Sequence, residues 1–307
     1  MARCFVTREL PGPALERLAG VHEVEVWPGR MPPSPAQLRD ATAEADGLLS
    51  LLTDRVDAEL LQASPRLRAI SNFAVGVDNI DLEAARSRAI AVGNTPDVLT
   101  EATADLTFAL LLAAARRLPE AIMAAGGGEW VTWEPGAWLG ADVHGASLGI
   151  IGMGRIGRAV ARRAAGFEME VIHAGARDRE AVAGLLGRAD FVSLHCPLTP
   201  ESHHLIDAAA LEAMKPDAIL INTARGPIVD QAALARALHD GAIAGAALDV
   251  TDPEPPQPDD PLLDAPNLIL TPHVGSATRT ARARMAELAV ENLLAALDGR
   301  PMPHPVP

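Results

Sequence analysis

A short apolar run meets a helical pattern through three spaced glycines in Leu148-Gly-Ile-Ile-Gly-Met-Gly-Arg-Ile-Gly157. Gly152, Gly154 and Gly157 have the spacing G-x-G-x-x-G, and Arg158-Ala-Val-Ala-Arg-Arg-Ala-Ala165 reads as helix after them. Each glycine has a separate steric reason. The first permits a tight turn, the second lets a pyrophosphate approach the backbone, and the third lets the helix pack close to the strand. The free amides and positive end of the helix then suit phosphate. A structural βα turn is the competing reading. The strand before and the helix after it favour a dinucleotide site.

The rest of the chain alternates β-branched runs with Ala/Leu/Arg-rich helical patterns, which predicts parallel sheets covered by helices. Strands are expected at Cys4–Thr7, Val24–Trp27, Gly47–Leu51, Arg68–Ser71 and Ile90–Val92, then at Ser147–Ile151, Glu170–His173, Phe191–His195, Ala218–Asn222, Gly245–Asp249 and Leu268–Leu270. Helices are expected between them. Two longer helical patterns, Thr100 to Leu118 and Thr278 to Leu297, flank the second set. Proline restricts its own φ and keeps its predecessor extended, so Pro96 and Pro272 suit crossings between domains. The expected division is a discontinuous substrate domain, 1–96 plus 277–307, and an inserted dinucleotide-binding domain, 97–276. The proline-rich Asp252–Pro258 reads as a shaped loop, and Pro301–Pro307 as a loosely held end.

Composition narrows the partners. A chain of 307 residues, 49% of them hydrophobic, can bury the cores of two domains. A net charge of -14 argues against nucleic acid or an anionic membrane surface. The longest apolar run, Leu106 to Ala115, is about half of the roughly 20 residues that span a bilayer. Met1-Ala-Arg-Cys-Phe-Val-Thr reads as a first strand and not as a signal peptide. Two cysteines, Cys4 and Cys196, suit a reducing cytoplasm better than a disulfide framework. No metal site is expected.

Three polar residues fall just beyond expected strands, where this topology places ligands: Arg225, Glu254 and His273. Singly, each reads as an ordinary loop residue. Together they offer a carboxylate anchor, an orienting acid and a proton-transfer group beside a dinucleotide site.

With these residues in view, nearly the whole chain resembles the D-2-hydroxyacid dehydrogenases. The matching stretches are Asn72-Phe-Ala-Val-Gly-Val-Asp-Asn-Ile-Asp81, Gly149 to Gly157, His195-Cys-Pro-Leu-Thr-Pro200, Asn222-Thr-Ala-Arg-Gly226, Ala247-Leu-Asp-Val250 with Pro253-Glu-Pro255, and Thr271-Pro-His-Val-Gly-Ser-Ala277. Asn94 to Glu101, Arg116 to Ala121 and the tryptophan-rich Trp130 to Gly140 look most like the glyoxylate/hydroxypyruvate reductases of that family. The resemblance implies two doubly wound parallel-sheet domains, one flavodoxin-like and one Rossmann. It implies NAD(P)H-dependent reduction of glyoxylate or hydroxypyruvate, with Arg225, Glu254 and His273 as the catalytic set. Arg225 would meet the keto-acid oxygens with its planar fork. His273 would give a proton to the ketone oxygen, and Glu254 would hold its other ring nitrogen. Amides around Val75 and Gly76 would hold the substrate carboxylate.

The same resemblance assigns cofactor contacts to Arg155 and Ile156 in the glycine turn, Cys196, Pro197 and Thr199 beside the adenosine, and Thr223 and Ala224 toward the nicotinamide. Asp249 would meet the carboxamide, and Gly275 and Ser276 would complete the pocket. NAD-preferring members carry an acid at the end of the second Rossmann strand, which here falls on Gly175. The missing acid, with Arg177 and Arg179 nearby, suits the 2′-phosphate of NADP(H). NAD(H) remains open if Asp178 takes the ribose. Trp138 corresponds to a tryptophan that reaches the partner subunit's active site, or else anchors a dimer interface; both imply a homodimer. Two rival functions stand beside this one: a D-3-phosphoglycerate or other D-2-hydroxyacid dehydrogenase, and a dinucleotide-sensing binding protein of the same fold.

Overall fold

The computed structural model describes residues 1–306. The chain divides into two compact units, Met1–Leu99 with Ala277–Pro307, and Thr100–Ser276.

The first unit begins β1 (Arg3–Val6), α1 (Ala14–Ala19), β2 (Glu23–Val26), α2 (Pro35–Thr42), β3 (Gly47–Ser50), α3 (Ala58–Ala63), β4 (Ala69–Asn72), α4 (Leu82–Ser87) and β5 (Ala91–Gly93). Its five strands are all parallel in the order β2-β1-β3-β4-β5, a flavodoxin-like arrangement. Every residue of β3 and β4 is buried, as a strand covered on both faces requires. Edge strand β2, Glu-Val-Glu-Val, instead alternates exposed glutamates with half-buried valines. Helix starts are set by side chains that accept from first-turn amides: Ser34 in a reciprocal capping box with Gln37, then Asp57 and Asp81.

The second unit opens with α5 (Thr100–Ala115) and α6 (Leu118–Gly127). It continues through β6 (Ser147–Ile151), α7 (Arg155–Ala164), β7 (Glu170–Ala174), α8 (Arg179–Leu186), β8 (Phe191–Leu194), α9 (Ala208–Glu212), β9 (Ile219–Asn222), α10 (Gln231–His239), β10 (Gly245–Leu248) and β11 (Leu268–Leu270). The six strands are parallel, in the order β11-β10-β9-β8-β6-β7. Strand order reverses at β6, which places the glycine turn at the topological switch point. Helix α5 buries Ala104, Phe108, Leu110 and Leu111 and packs on α7, β9 and β10. The last helix, α11 (Arg279–Leu297), belongs to the first unit, where it packs on α1, β3, β4 and β5.

Two expectations need correction. The helical pattern over Thr100 to Leu118 is interrupted: Arg117 takes a left-handed φ of 50°, and a new helix starts at Leu118. Pro119 has no N–H to return to the Ala115 carbonyl. That carbonyl is taken by the Ala141 amide at 2.8 Å. The tail is also held. The Val306 amide donates to Val92 O at 2.8 Å, Asn94 N to His304 O at 3.1 Å, and His304 N to Asn292 Oδ1 at 3.0 Å. The prolines cannot donate, but the amides of His304 and Val306 between them can.

Candidate active site

The three glycines of the turn after β6 differ in the way their spacing demands. Gly152 has φ +100°, and a Cβ there would press on the His195–Cys196 backbone. A Cβ on Gly157 would strike the Gly152 carbonyl, so this residue sets the approach of α7 to the turn. Gly154 is the exception: it has ordinary φ, and a Cβ would meet nothing within 4 Å. The space beside it is open, at the N-terminus of a ten-residue helix whose first amides lack intrahelical acceptors. Open space beside the helix start is the property that Gly154 contributes.

The other candidate cofactor residues follow the strand ends along one edge of the same sheet. Gly175 and Arg177 follow β7, Cys196, Pro197 and Thr199 follow β8, Thr223 and Ala224 follow β9, Asp249 follows β10, and Gly275 and Ser276 lie beyond β11. Gly175 has room for a side chain, since a Cβ there meets nothing within 4 Å. Asp178 caps α8, with Oδ1 accepting from Ala181 N at 3.0 Å. Arg179 donates to the Glu201 carbonyl at 2.9 Å. The Glu201 carboxyl lies below its ordinary range, through hydrogen bonds from the Thr199 side chain and a backbone amide, and more weakly through Arg177. Cys196 is buried, and burial pushes its thiol up to about 11, so it remains an unreactive thiol at neutral pH.

Arg225, Glu254 and His273 come from the ends of neighbouring strands β9, β10 and β11. His273 Nδ1 lies 2.6 Å from Glu254 Oε1. A carboxylate can only accept here, so Nδ1 carries the hydrogen and Nε2 is the nitrogen left for proton transfer. Both side chains keep access to solvent, 22% for His273 and 34% for Glu254. His195, by contrast, shares Nε2 with Ser193 Oγ at 2.8 Å, and desolvation pushes it down to about 4. It is neutral at pH 7 and is no imidazolium donor.

His273 sits at φ 53°, which costs a side-chain-bearing residue on the order of 1 kcal/mol. The turn is held by Asp249, which is 1% exposed. Its Oδ1 accepts from Thr271 Oγ1 at 2.6 Å and Val274 N at 2.8 Å, and its Oδ2 from Gly275 N at 2.7 Å. The His273 amide completes the turn by donating to Asp249 O and Thr271 O, each at 3.0 Å. With three donors on it, Asp249 has about one acceptor position left of the four a carboxylate offers. Glu254 is positioned by the loop before it: Thr251 Oγ1 donates to Pro253 O at 2.8 Å, and Asp252 N to Gln231 Oε1 at 2.9 Å.

Arg225 is half-buried on a turn tied by Asn222, whose Nδ2 donates to Arg225 O at 2.8 Å and whose Oδ1 accepts from Ala224 N at 3.0 Å. The next residue must be glycine, because any Cβ on Gly226 would collide with the Thr251 carbonyl. Two threonines of α5 also support this edge, and the sequence reading passed over them. Thr107 Oγ1 pairs with Thr223 Oγ1 at 2.9 Å, and Thr103 Oγ1 donates to Gly275 O at 3.3 Å. Their available signal was a pair of hydroxyls one helical turn apart, on the buried face of the helix.

A family model described as the NAD binding domain of the D-isomer specific 2-hydroxyacid dehydrogenases matches residues 108–275. The chain belongs to that family. Among its relatives, the glyoxylate reductase of Korarchaeum cryptofilum is 50% identical over 305 residues, covering 95% of this chain and 92% of that protein. The glyoxylate reductase of Aeropyrum pernix is 48% identical, covering 98% and 95%. Among solved structures, a Thermus thermophilus protein superimposes with a TM-score of 0.94 at 52% identity, over 99% of this chain and all of that one. The NADPH-dependent glyoxylate/hydroxypyruvate reductase of Sinorhizobium meliloti, in complex with NADP and malonate, gives 0.88 at 34% identity, over 99% and 96%. This D-2-hydroxyacid dehydrogenase is accordingly an NAD(P)-dependent oxidoreductase.

The remaining candidates belong to other elements. Val75 and Gly76 are in the first unit, on the loop after β4. Trp138 lies between α6 and β6, at φ 58° and 42% exposed. It is one of several apolar residues exposed there, with Trp130, Val131, Trp133 and Leu139, and Ile122 and Met123 of α6 are exposed as well. No helix among the described residues is long and apolar enough to cross a membrane.

Proposed function

We propose that this dehydrogenase reduces small 2-keto acids, glyoxylate and hydroxypyruvate, to their 2-hydroxy acids with NADP(H). The observation that carries this reading is the 2.6 Å pair of His273 and Glu254, on the sheet edge that also bears the glycine turn and Arg225. The names of the relatives support the substrate class. Arg225 holds the keto acid by its carboxylate and ketone oxygens through two parallel N–H donors. Amides at Val75 and Gly76 take the carboxylate as well. His273 Nε2 delivers a proton to the ketone oxygen, and Glu254 keeps the ring oriented by accepting from Nδ1. In the reverse direction Nε2 takes the alcohol proton. The reduced nicotinamide, when bound, supplies the hydride. Gly152, Gly154, Arg155, Ile156 and Gly157 hold its pyrophosphate, and Thr223, Ala224, Asp249, Gly275 and Ser276 bound the nicotinamide end.

The substrate reading is tested by steady-state kinetics with glyoxylate, hydroxypyruvate and larger 2-keto acids, each with both reduced cofactors. The two small acids are expected to have the highest kcat/KM. A preference for a bulky acid would reassign the substrate, and no turnover with any of them would leave a dinucleotide-sensing protein.

Two glycine variants test the cofactor reading. Gly154→Ala fills space that is open in the protein alone, so Tm is expected to hold while cofactor affinity falls at least tenfold, an effect of about 1.4 kcal/mol or more. Gly175→Asp places a carboxylate where the 2′-phosphate of NADP(H) would sit, beside Arg177. It is expected to shift preference toward NADH by weakening NADPH, with little effect on turnover at saturation. Glu201 is a counterweight near Arg177. A wild type that already prefers NADH strongly would remove the NADP(H) assignment and turn attention to Asp178.

The exposed apolar stretch from Ile122 to Leu139 supports a homodimer. It carries three of the four tryptophans of the chain, and Trp133 and Val131 are 81% and 87% exposed. A patch of this size and composition marks a protein interface more often than a free surface. A second copy of this chain is the occupant, with Trp138 at its border. Two buried, unpaired thiols fit a reducing cytoplasm.

A further inference from the structure

The loop after β4 has an unusual hydrogen-bond polarity. Three successive carbonyls are each taken from behind: Ala74 O by the Thr95 amide at 2.9 Å, Val75 O by Asn94 Nδ2 at 2.8 Å, and Gly76 O by Asn72 Nδ2 at 2.9 Å. The amides of Ala74, Val75, Gly76 and Val77 donate to no group among the described residues. A peptide plane with its carbonyl fixed inward has its N–H fixed outward, because the two are antiparallel across one rigid unit. Backbone amides left open in succession form an anion-binding concavity.

The side chains that hold these carbonyls are asparagines, and they form a chain. Asn72 is fully buried; its Oδ1 accepts from Ser50 Oγ at 3.0 Å, and its Nδ2 also donates to Asn79 Oδ1 at 3.0 Å. Asn79 Nδ2 then donates to Leu51 O at 3.0 Å and Asp54 O at 2.9 Å, which ties the loop to the turn after β3. Asn94 is anchored in turn, its own carbonyl accepting from Asn292 Nδ2 of α11 at 2.9 Å. Each partner carbonyl can only accept, so each asparagine turns its amide nitrogen toward it.

We propose that Asn94 and Asn72, with Asn79 behind them, are positioning residues that aim the Val75–Gly76 amides at the carboxylate of the substrate. The inference rests on the reading that these amides bind that carboxylate. The asparagines touch no substrate; they fix the orientation of groups that do. Asn94 is the residue to test, since it is only half-buried and its side chain carries one bond to the loop.

Asn94→Leu keeps the approximate volume and removes the donor. Its kcat/KM is expected to fall about tenfold with glyoxylate, mainly through KM, which is the size expected when a partly buried carbonyl loses its partner. With glyoxal, which offers the same aldehyde without the carboxylate, kcat/KM should stay within about twofold of wild type, and the Kd for NADPH should not change. Equal losses on both aldehydes would reduce Asn94 to a general structural role, and no loss on either would overturn the proposal. Gly76→Val separates the underlying reading from the inference. Gly76 has no left-handed φ, so valine there meets no left-handed backbone strain. If Gly76→Val impairs glyoxylate and Asn94→Leu does not, the positioning role fails alone. If Gly76→Val also leaves glyoxylate kinetics intact, the carboxylate is bound elsewhere and both statements fall.

Discussion

Replacing His273 with alanine is expected to lower turnover by about 10²–10⁴-fold, the usual contribution of a positioned acid–base group. Cofactor affinity is expected to stay near wild type, because the ring lies at the far end of the sheet edge from the glycine turn: His273 follows β11, and the turn follows β6. The pH profile gives a second, independent readout. In the proposed mechanism reduction uses imidazolium as the donor, so kcat/KM for a keto acid should fall as pH rises. Oxidation of the hydroxy acid uses the neutral ring, so its kcat/KM should rise over the same interval. In His273→Ala both dependences should flatten. Glu254→Gln makes a finer test. It keeps an acceptor oxygen for Nδ1 but removes the charge opposite the imidazolium, so turnover should drop less than in His273→Ala and the profile should move to lower pH. A His273→Ala variant with near-wild-type turnover would take this residue out of the mechanism, and His195, neutral and held by Ser193, could not replace it as the proton donor.

The candidate catalytic edge is legible in the sequence because its polar residues follow strand ends. Apolar runs fix where β9, β10 and β11 stop, and Arg225, Glu254 and His273 lie in the loops that follow them. The glycine turn is legible for the same kind of reason, since Gly152 and Gly157 each answer a different steric demand, while Gly154 faces open space. What the sequence hides is how hydrogen bonds are shared over long chain separations. Asp249 reads as a ligand for the nicotinamide carboxamide, yet most of its acceptor capacity is spent on Thr271, Val274 and Gly275. Asn94 and Asn292 are far apart in the chain and read as unremarkable polar residues, until α11 brings one against the backbone of the other. The break at Arg117 is a milder case. Pro119 was visible, but its effect depends on Ala141 arriving to take the carbonyl that Pro119 cannot satisfy.

Arg225→Lys is expected to lower kcat/KM for glyoxylate by about 10²–10³-fold, comparable to losing a charge-assisted contact of roughly 3–4 kcal/mol. Charge is conserved in this variant, so the loss isolates geometry. Guanidinium presents two parallel N–H donors to a carboxylate and its neighbouring ketone oxygen; ammonium is a point charge with freely turning donors and cannot hold both oxygens in one plane. The backbone at this position already invests in that geometry. Asn222 closes the turn through both its Oδ1 and its Nδ2, and Gly226 lets the chain pass against Thr251 where no side chain fits. Because Arg225 Nη1 also donates to Ala224 O at 2.7 Å, the fork is set by its own strand before substrate arrives. Lysine would lose that preset along with the fixed parallel pair of donors, so kcat should fall together with the rise in KM, and Arg225→Ala should be worse in KM than Arg225→Lys. Cofactor affinity is the control, and it should move little in either variant. Glyoxylate kinetics that survive Arg225→Lys would mean the carboxylate is held without a planar fork, and the Val75–Gly76 amides would then have to carry the anion alone.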